Sequence, residues 1–170
     1  MDLRQYIRDI PDFPKPGIRF KDITPLLADP GAFAAAVAGL AEHYDPAGID
    51  AIAAAEARGF LFAAPLAIRL GLPLIPLRKP GKLPYKTHSL KYDLEYGSAE
   101  LNMHVDAFKP GARVLLVDDL LATGGTMLAA AGLIEKGGGV VAGYAFLVEL
   151  AFLEGRKKLA PHDIYRILSY

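Results

Sequence analysis

The sequence predicts an α/β fold: a mostly parallel central sheet flanked by helices. Three observations carry this. Short apolar runs of strand character alternate with stretches whose apolar residues recur at helical spacing, the pattern of strand–helix–strand units. The chain has 170 residues, 52% hydrophobic and 22% charged, enough for one domain with a substantial core. Paired carboxylates stand at the carboxyl end of the run "RVLLVD", where sheets of this kind place their ligands.

At the N-terminus, Leu3, Tyr6, Ile7 and Ile10 fall on one helical face, which predicts a short helix docked on the body. "PDFPKPG" stops it, because proline removes donors and biases its predecessors to extended backbone. Phe33, Val37, Leu40, Ala41 and Tyr44 form a second helical stripe. "DAIAAA" is a short buried strand, and "RGFLFAAPLAIRLG" is a helix closed by Gly71, with Pro65 disturbing its early turns. "LPLIPLR" is a strand. "KPGKLPYKTHSLKYDLEYGSAEL" is rich in Gly, Pro, Lys and Tyr without a helical stripe. It is expected to be a long mobile loop ending in a small hairpin around Gly97 and Ser98. The strand "RVLLVD", a helix from Gly125 to Lys136, and the strands "VVAGYAFLVEL" and "DIYRIL" complete the chain. No repeat or linker interrupts it, so residues 1–170 are expected to form a single domain.

Composition narrows the function classes. The 19 basic residues balance 19 acidic ones, which argues against a nucleic-acid partner. With no cysteine there is neither disulfide nor thiolate chemistry, which fits a reducing compartment. "MDLRQYIRDI" is too charged for a secretory signal, and no apolar run is long enough to span a bilayer. A cytoplasmic location without membrane contact is expected. His43, His88, His104 and His162 have no metal-ligand spacing and are read as surface or packing residues. The only Asn is Asn102.

The chemistry is concentrated in "RVLLVDDLLATGGTM", Arg113 to Met127. A helix N-terminus offers unpaired N–H donors and partial positive charge, a seat for phosphate. Gly124 and Gly125 let the backbone approach closely, and Thr123 and Thr126 add hydroxyl donors. Asp118 and Asp119 repel a phosphate but suit a sugar's hydroxyls or a Mg²⁺ with its waters. The pattern calls for a phosphate joined to a hydroxyl-bearing middle, the shape of a phosphorylated ribose. The plainer alternative is a strand end and an N-capped helix, with Asp119 and Thr123 as turn formers. Other phosphate motifs fail. There is no G-x-x-x-x-G-K-[ST], and "GGGVVA", Gly137 to Ala142, follows a helix and precedes a strand, the reverse of a dinucleotide site.

"VLLVDDLLATGGT" is similar to the phosphoribosyl-pyrophosphate motif of type I phosphoribosyltransferases. "IPDFPKPGIRFKDITPLL", "EARGFLF", "RKPGKLP" and "YDLEYG" resemble the adenine-using branch of that family. The likeness runs in order from about Ile10 to Glu149. It implies the type I fold, with a mobile catalytic loop and a small N-terminal hood over the base. It also implies the activity: adenine and 5-phosphoribosyl 1-pyrophosphate (PRPP) give AMP and pyrophosphate, with Mg²⁺ as cofactor and a homodimer as the usual assembly. By the same resemblance Asp118 and Asp119 hold the ribose hydroxyls and the metal-bound donor, while Ala122, Thr123, Gly124, Gly125 and Thr126 wrap the 5′-phosphate. Arg58 grips the pyrophosphate with its fork, and Lys79 and Lys82 neutralise it as the loop closes. Phe20 stacks on the adenine, the main chain near Arg19 and Lys21 reads its edge, and Glu95 handles the purine proton beside Tyr96. The chain departs from the family pattern at Arg19, where an aliphatic residue is common. The rivals are a transferase for guanine or hypoxanthine, and a non-catalytic sensor of the phosphoribosyl ligand.

Overall fold

In a computed structural model, residues 1–93 and 97–170 are described. The central sheet has five strands, all parallel: β3 (Ala51–Ala55), β4 (Leu74–Leu77), β7 (Arg113–Leu121), β8 (Val140–Glu149) and β9 (Ile164–Ser169). Their spatial order is β4-β3-β7-β8-β9. Alanine is a poor intrinsic strand former, yet "AIAAA" of β3 is wholly buried between two paired neighbours. There the small side chains fit close helix packing, and context overrides propensity.

Two hydrophobic layers cover the sheet. On one face α2 (Pro30–His43) and α3 (Gly59–Leu70) pack Leu40, Phe62 and Leu66 against Ile52, Ala54, Leu115 and Val117. On the other, α4 (Gly125–Lys136) packs Ala130, Leu133 and Ile134 with Ala53, Leu116 and Phe146. Alternate residues of β3 thus serve opposite cores, the period of a strand. Gly71 closes α3 in the left-handed region at φ 68°, and α3 runs unbroken through Pro65. Gly137 ends α4, so "GGGVVA" is a helix stop.

Three expectations are corrected. The N-terminal helix is only a 3-10 turn at Leu3–Tyr6. Beyond it β1 (Arg8–Pro11) pairs antiparallel with β2 (Arg19–Asp22), so Ile10 lies opposite Phe20. Helical spacing over so few residues could not distinguish a turn leading into a strand. The segment after β4 closes in the expected hairpin near Gly97 and Ser98, but that hairpin is long, with β5 (Thr87–Asp93) paired to β6 (Ser98–His104). It packs Leu90, Leu101 and Met103 into the α4-side core. Finally, β7 does not end at the aspartates but continues to Leu121, paired there with Glu149. A helix α1 (Thr24–Ala28) and a short α5 (Arg156–Leu159) complete the described chain. Among the described residues no helix is long and apolar enough to cross a membrane.

Candidate active site

The segment from β7 to α4 forms the floor of the site. Gly124, the N-cap of α4, has φ 81°, a conformation that L side chains resist. A Cβ there would also lie 2.7 Å from the carbonyl oxygen of Gly155. Gly125 has no such constraint: its nearest neighbour to a Cβ would be the carbonyl of Asp93 at 3.9 Å. So Gly124 is demanded by the fold, while Gly125 leaves the mouth of the loop clear. The first N–H groups of α4 receive no side-chain cap. In contrast, the Asp29 carboxylate accepts from the amide of Ala32 at 2.8 Å and closes the N-terminus of α2. The open end and its partial positive charge suit an anion.

Asp118 is partly buried and Asp119 is 3% exposed. The Asp119 amide donates to Asp118 Oδ1 at 2.9 Å. Arg58 Nε lies 3.0 Å from Asp119 Oδ2, but Oδ2 has no hydrogen bond and is a buried oxygen without a hydrogen-bonding partner. Burial, then the charge of Asp119, pushes the Asp118 carboxyl well above its usual range. Burial also raises Asp119, against the opposing pull of Arg58. Arg58 reaches this position because α3 begins hard against β7. A Cβ on Gly59 would lie 2.9 Å from Asp118 Oδ1 and 3.1 Å from the Val117 carbonyl.

A 540 Å³ cavity adjoins the loop, lined in part by Glu56, Lys79, Lys91, Tyr92 and Thr126. Thr126 also lines the concavity over Asp118 and the glycines, so the two spaces share a wall. Glu56 organises the cavity's rim. Its Oε2 accepts from Arg78 Nε at 2.8 Å and from the Lys79 amide at 3.3 Å. Burial would raise the Glu56 carboxyl, but these donors hold it below its usual range. Arg78 Nη1 in turn donates to the Lys82 carbonyl at 3.2 Å, closing a turn in which Gly81 has φ 75°. Lys79 therefore faces the cavity; Lys82 is exposed beyond the turn and is not among its lining. Arg78 also exchanges two main-chain hydrogen bonds with Asn102, whose buried amide oxygen accepts from Thr87 and Ser89 and whose nitrogen donates to Glu100. Glu56, Arg78, Gly59 and Asn102 were not singled out in the sequence. Glu56 and Gly59 fall within "EARGFLF" and Arg78 within "RKPGKLP", but their roles are not local, since each acts through a partner distant along the chain. Glu95 and Tyr96 lie outside the described residues.

On the opposite side stands the β1–β2 hood. Phe20 packs edge-on against Phe13 with ring centroids 5.1 Å apart, and the Arg58 guanidinium lies 5.3 Å from the Phe20 ring centroid. Arg58 thus touches both the carboxylate floor and the hood. Strand alternation sends the neighbours of Phe20 the other way. Lys21 Nζ is held by Asp9 at 2.5 Å, over the Tyr170 ring, and Arg19 reaches toward Asp9 at 4.0 Å. Both side chains are engaged away from Phe20.

Among the described residues no three His, Asp or Glu side chains gather as a metal cage. The carboxylates of Asp118 and Asp119 are suited instead to a hydrated cation brought by a ligand, or to a ligand's hydroxyls. Asp119 Oδ2, paired with Arg58 by charge but without a hydrogen bond, keeps acceptor capacity for either.

Comparison with known proteins agrees with this geometry. The family model described as a phosphoribosyl transferase domain matches residues 26–168. An adenine phosphoribosyltransferase of Kosmotoga olearia is 58% identical over 170 residues, covering 100% of both chains. The crystal structure of the Thermoanaerobacter pseudethanolicus adenine phosphoribosyltransferase superposes with a TM-score of 0.93 at 53% identity, over 99% of this chain and 98% of that one. The Saccharomyces cerevisiae enzyme, complexed with adenine and an imino-altritol bisphosphate, gives 0.92 at 37% identity, over 97% and 96%. With its fold, its glycine loop and its paired aspartates alike in place, the chain belongs to the phosphoribosyltransferase family, in its adenine phosphoribosyltransferase branch.

Proposed function

We propose that this site performs purine salvage, transferring the phosphoribosyl group of PRPP to adenine to give AMP and pyrophosphate. The observation that carries the reading is the uncapped N-terminus of α4 behind Gly125, beside the Asp118–Asp119 carboxylates, whose buried Asp119 Oδ2 makes no hydrogen bond and meets only the charge of Arg58. Ala122 to Thr126 seat the 5′-phosphate on backbone donors. Asp118 and Asp119 take the ribose hydroxyls. Arg58 and Lys79 face the pyrophosphate, Lys82 joins them from the turn, and Phe20 stacks on the base. Mg²⁺ bound with the donor would offset the charge of the pyrophosphate, and Asp118 and Asp119 are the residues placed to meet it.

A purine ring nitrogen forms the new bond to the anomeric carbon as the bond to pyrophosphate breaks. Departure builds positive charge on the ribose, which the two carboxylates stabilise from fixed positions. Glu95 takes the purine proton. Closure of the segment that carries Glu95 and Tyr96 excludes water and protects the donor from hydrolysis. The family likeness supports a cytoplasmic homodimer, which sedimentation can test.

The choice of base is the decisive test. Adenine presents an amino donor beside a ring acceptor, and the oxo-purines present the reverse. A main-chain edge near Arg19 and Lys21 matched to adenine leaves two groups unpaired with hypoxanthine, at about 1–3 kcal/mol each. Sites of this kind reject the mismatched pattern by roughly 10⁴-fold or more. Steady-state assays should show that preference in both wild type and Arg19→Val. Comparable efficiency with hypoxanthine would overturn the choice of adenine. Loss of discrimination in Arg19→Val alone would assign base reading to the side chain.

A further inference from the structure

The phosphate loop does not stand alone. Its rear surface is the segment joining β8 to α5, and the contact is backbone on backbone. A Cβ on Gly155 would lie 2.2 Å from the Ala122 carbonyl oxygen and 3.0 Å from the Gly124 nitrogen. No side chain intervenes, so any displacement of Gly155 alters the space in which Ala122 and Gly124 sit.

Gly155 is fixed by the next residue. Arg156 forks onto Glu149, the last residue of β8: Nε donates to Oε1 at 3.0 Å and Nη2 to Oε2 at 2.9 Å. The third guanidinium nitrogen, Nη1, donates to the Ile164 carbonyl at 3.1 Å, tying the same side chain to β9. Arg166 adds its Nε at 3.1 Å from Glu149 Oε2. Glu149 is 6% exposed, and a planar fork on a buried carboxylate is the most directional ion pair a protein makes. Arg156, its side chain 41% exposed, holds Glu149 below the usual carboxylate range. Glu149 also lies opposite Leu121 in the sheet, and the Leu150 amide donates to the Leu121 carbonyl at 2.9 Å. The network therefore grips both ends of the chain segment that backs the loop.

We infer that Glu149 and Arg156 are positioning residues for donor binding: their ion pair seats Gly155 against Ala122 and Gly124 and holds the phosphate loop in its binding shape. This rests on the phosphate-seat assignment above. The pair lies on the hidden side of the loop, so its effect is on phosphate affinity and not on the base. A displacement of order 1 Å at a binding loop can reduce function about 10²-fold.

Arg156→Lys keeps the charge that compensates Glu149 but loses the fork; Gly155→Ala leaves the ion pair intact and separates the two backbones. Calorimetry with ribose 5-phosphate should show affinity reduced roughly 10-fold in Arg156→Lys and up to about 10²-fold in Gly155→Ala. The KM for PRPP should rise in parallel, while kcat and the KM for adenine at saturating PRPP stay near wild type. Gly125→Val, which blocks the seat itself, is the reference. If Gly125→Val loses ribose 5-phosphate binding but both rear-surface variants retain it with only a lowered Tm, the network is structural and the inference fails. If Gly125→Val also binds normally, the phosphate-seat assignment fails with it.

Discussion

Two glycine turns lie at the proposed donor site, and they are built in opposite ways. Gly124 in the phosphate loop and Gly81 in the Lys79–Lys82 turn have nearly the same backbone, φ 81° and 75°. Around Gly124 a Cβ would meet Gly155 at 2.7 Å, whereas around Gly81 it would meet nothing within 4 Å. The phosphate loop is cast between β7, α4 and the Gly155 segment; the lysine turn is held by Glu56 and Arg78 from one side only. Each construction suits its part of the reaction. The 5′-phosphate does not change during transfer and gains from a rigid seat. Pyrophosphate must leave, and a turn with solvent on most sides can release it.

The strongest way to break this contrast is to fill the rigid loop. In Gly125→Val the new side chain projects into open space, so the protein should stay folded while donor binding and activity fall to background. Gly124→Ala should instead lose stability, because strain and a backbone clash act together. Normal calorimetric affinity for PRPP in folded Gly125→Val would remove the phosphate from the loop.

The leaving-group side is addressed next by Glu95→Gln, which keeps volume and removes the ionisable group. Turnover should fall roughly 10²- to 10⁴-fold, the range for a lost general acid or base. A pH–rate profile unchanged in height and shape would remove Glu95 from the proton transfer.

Arg58 joins the rigid side to the hood, 3.0 Å from Asp119 and over the Phe20 ring. Arg58→Lys exchanges a fork for a point charge, so pyrophosphate and donor binding should weaken by about 1–3 kcal/mol. Adenine binding should move less. Pyrophosphate inhibition as strong as in wild type would detach Arg58 from the leaving group.

The same contrast explains what the sequence made legible. The phosphate loop lies between a strand and a helix that adjoin it in the chain, and the range expected for α4, Gly125 to Lys136, is the range observed. Its local structure could be read because strand, turn and helix signals are local. The leaving-group side could not. The β5–β6 hairpin is only partly buried along most of β5, and its turn-rich composition resembles a loop. What orders it is distant: the bridge from Arg78 to Asn102, and Leu90 and Met103 against α4. The resemblance implies the hood, but its first strand reads as the end of a helix, because Ile10 acquires its strand partner only when Phe20 folds back on it. The end of β7 was placed too early because a paired charge looks like a terminus, whereas pairing with β8 carries Leu120 and Leu121 onward.

The smallest effect expected concerns the stability of the rigid side and has an unusual sign. Asp118 is held well above its usual carboxylate range by burial and by Asp119. In acid, both folded and unfolded chains keep Asp118 protonated, and it costs the fold nothing. As pH rises, the unfolded chain ionises first, and stability is lost until the folded carboxyl also ionises. At neutral pH the pair therefore works against folding. Asp118→Asn keeps a carbonyl to accept from the Asp119 amide and removes one charge, so it should raise the melting temperature. A gain of about 1 kcal/mol corresponds to about 2–4 °C for a chain of this size. The gain should shrink as pH falls below the usual carboxylate range, where wild type carries no penalty. Donor affinity should drop in the same variant, because the ribose hydroxyls lose an anionic acceptor. Scanning calorimetry at neutral and acid pH tests the sign directly. A variant less stable than wild type at neutral pH would mean that the aspartate pair supports the fold, and that the site was not built at the expense of stability.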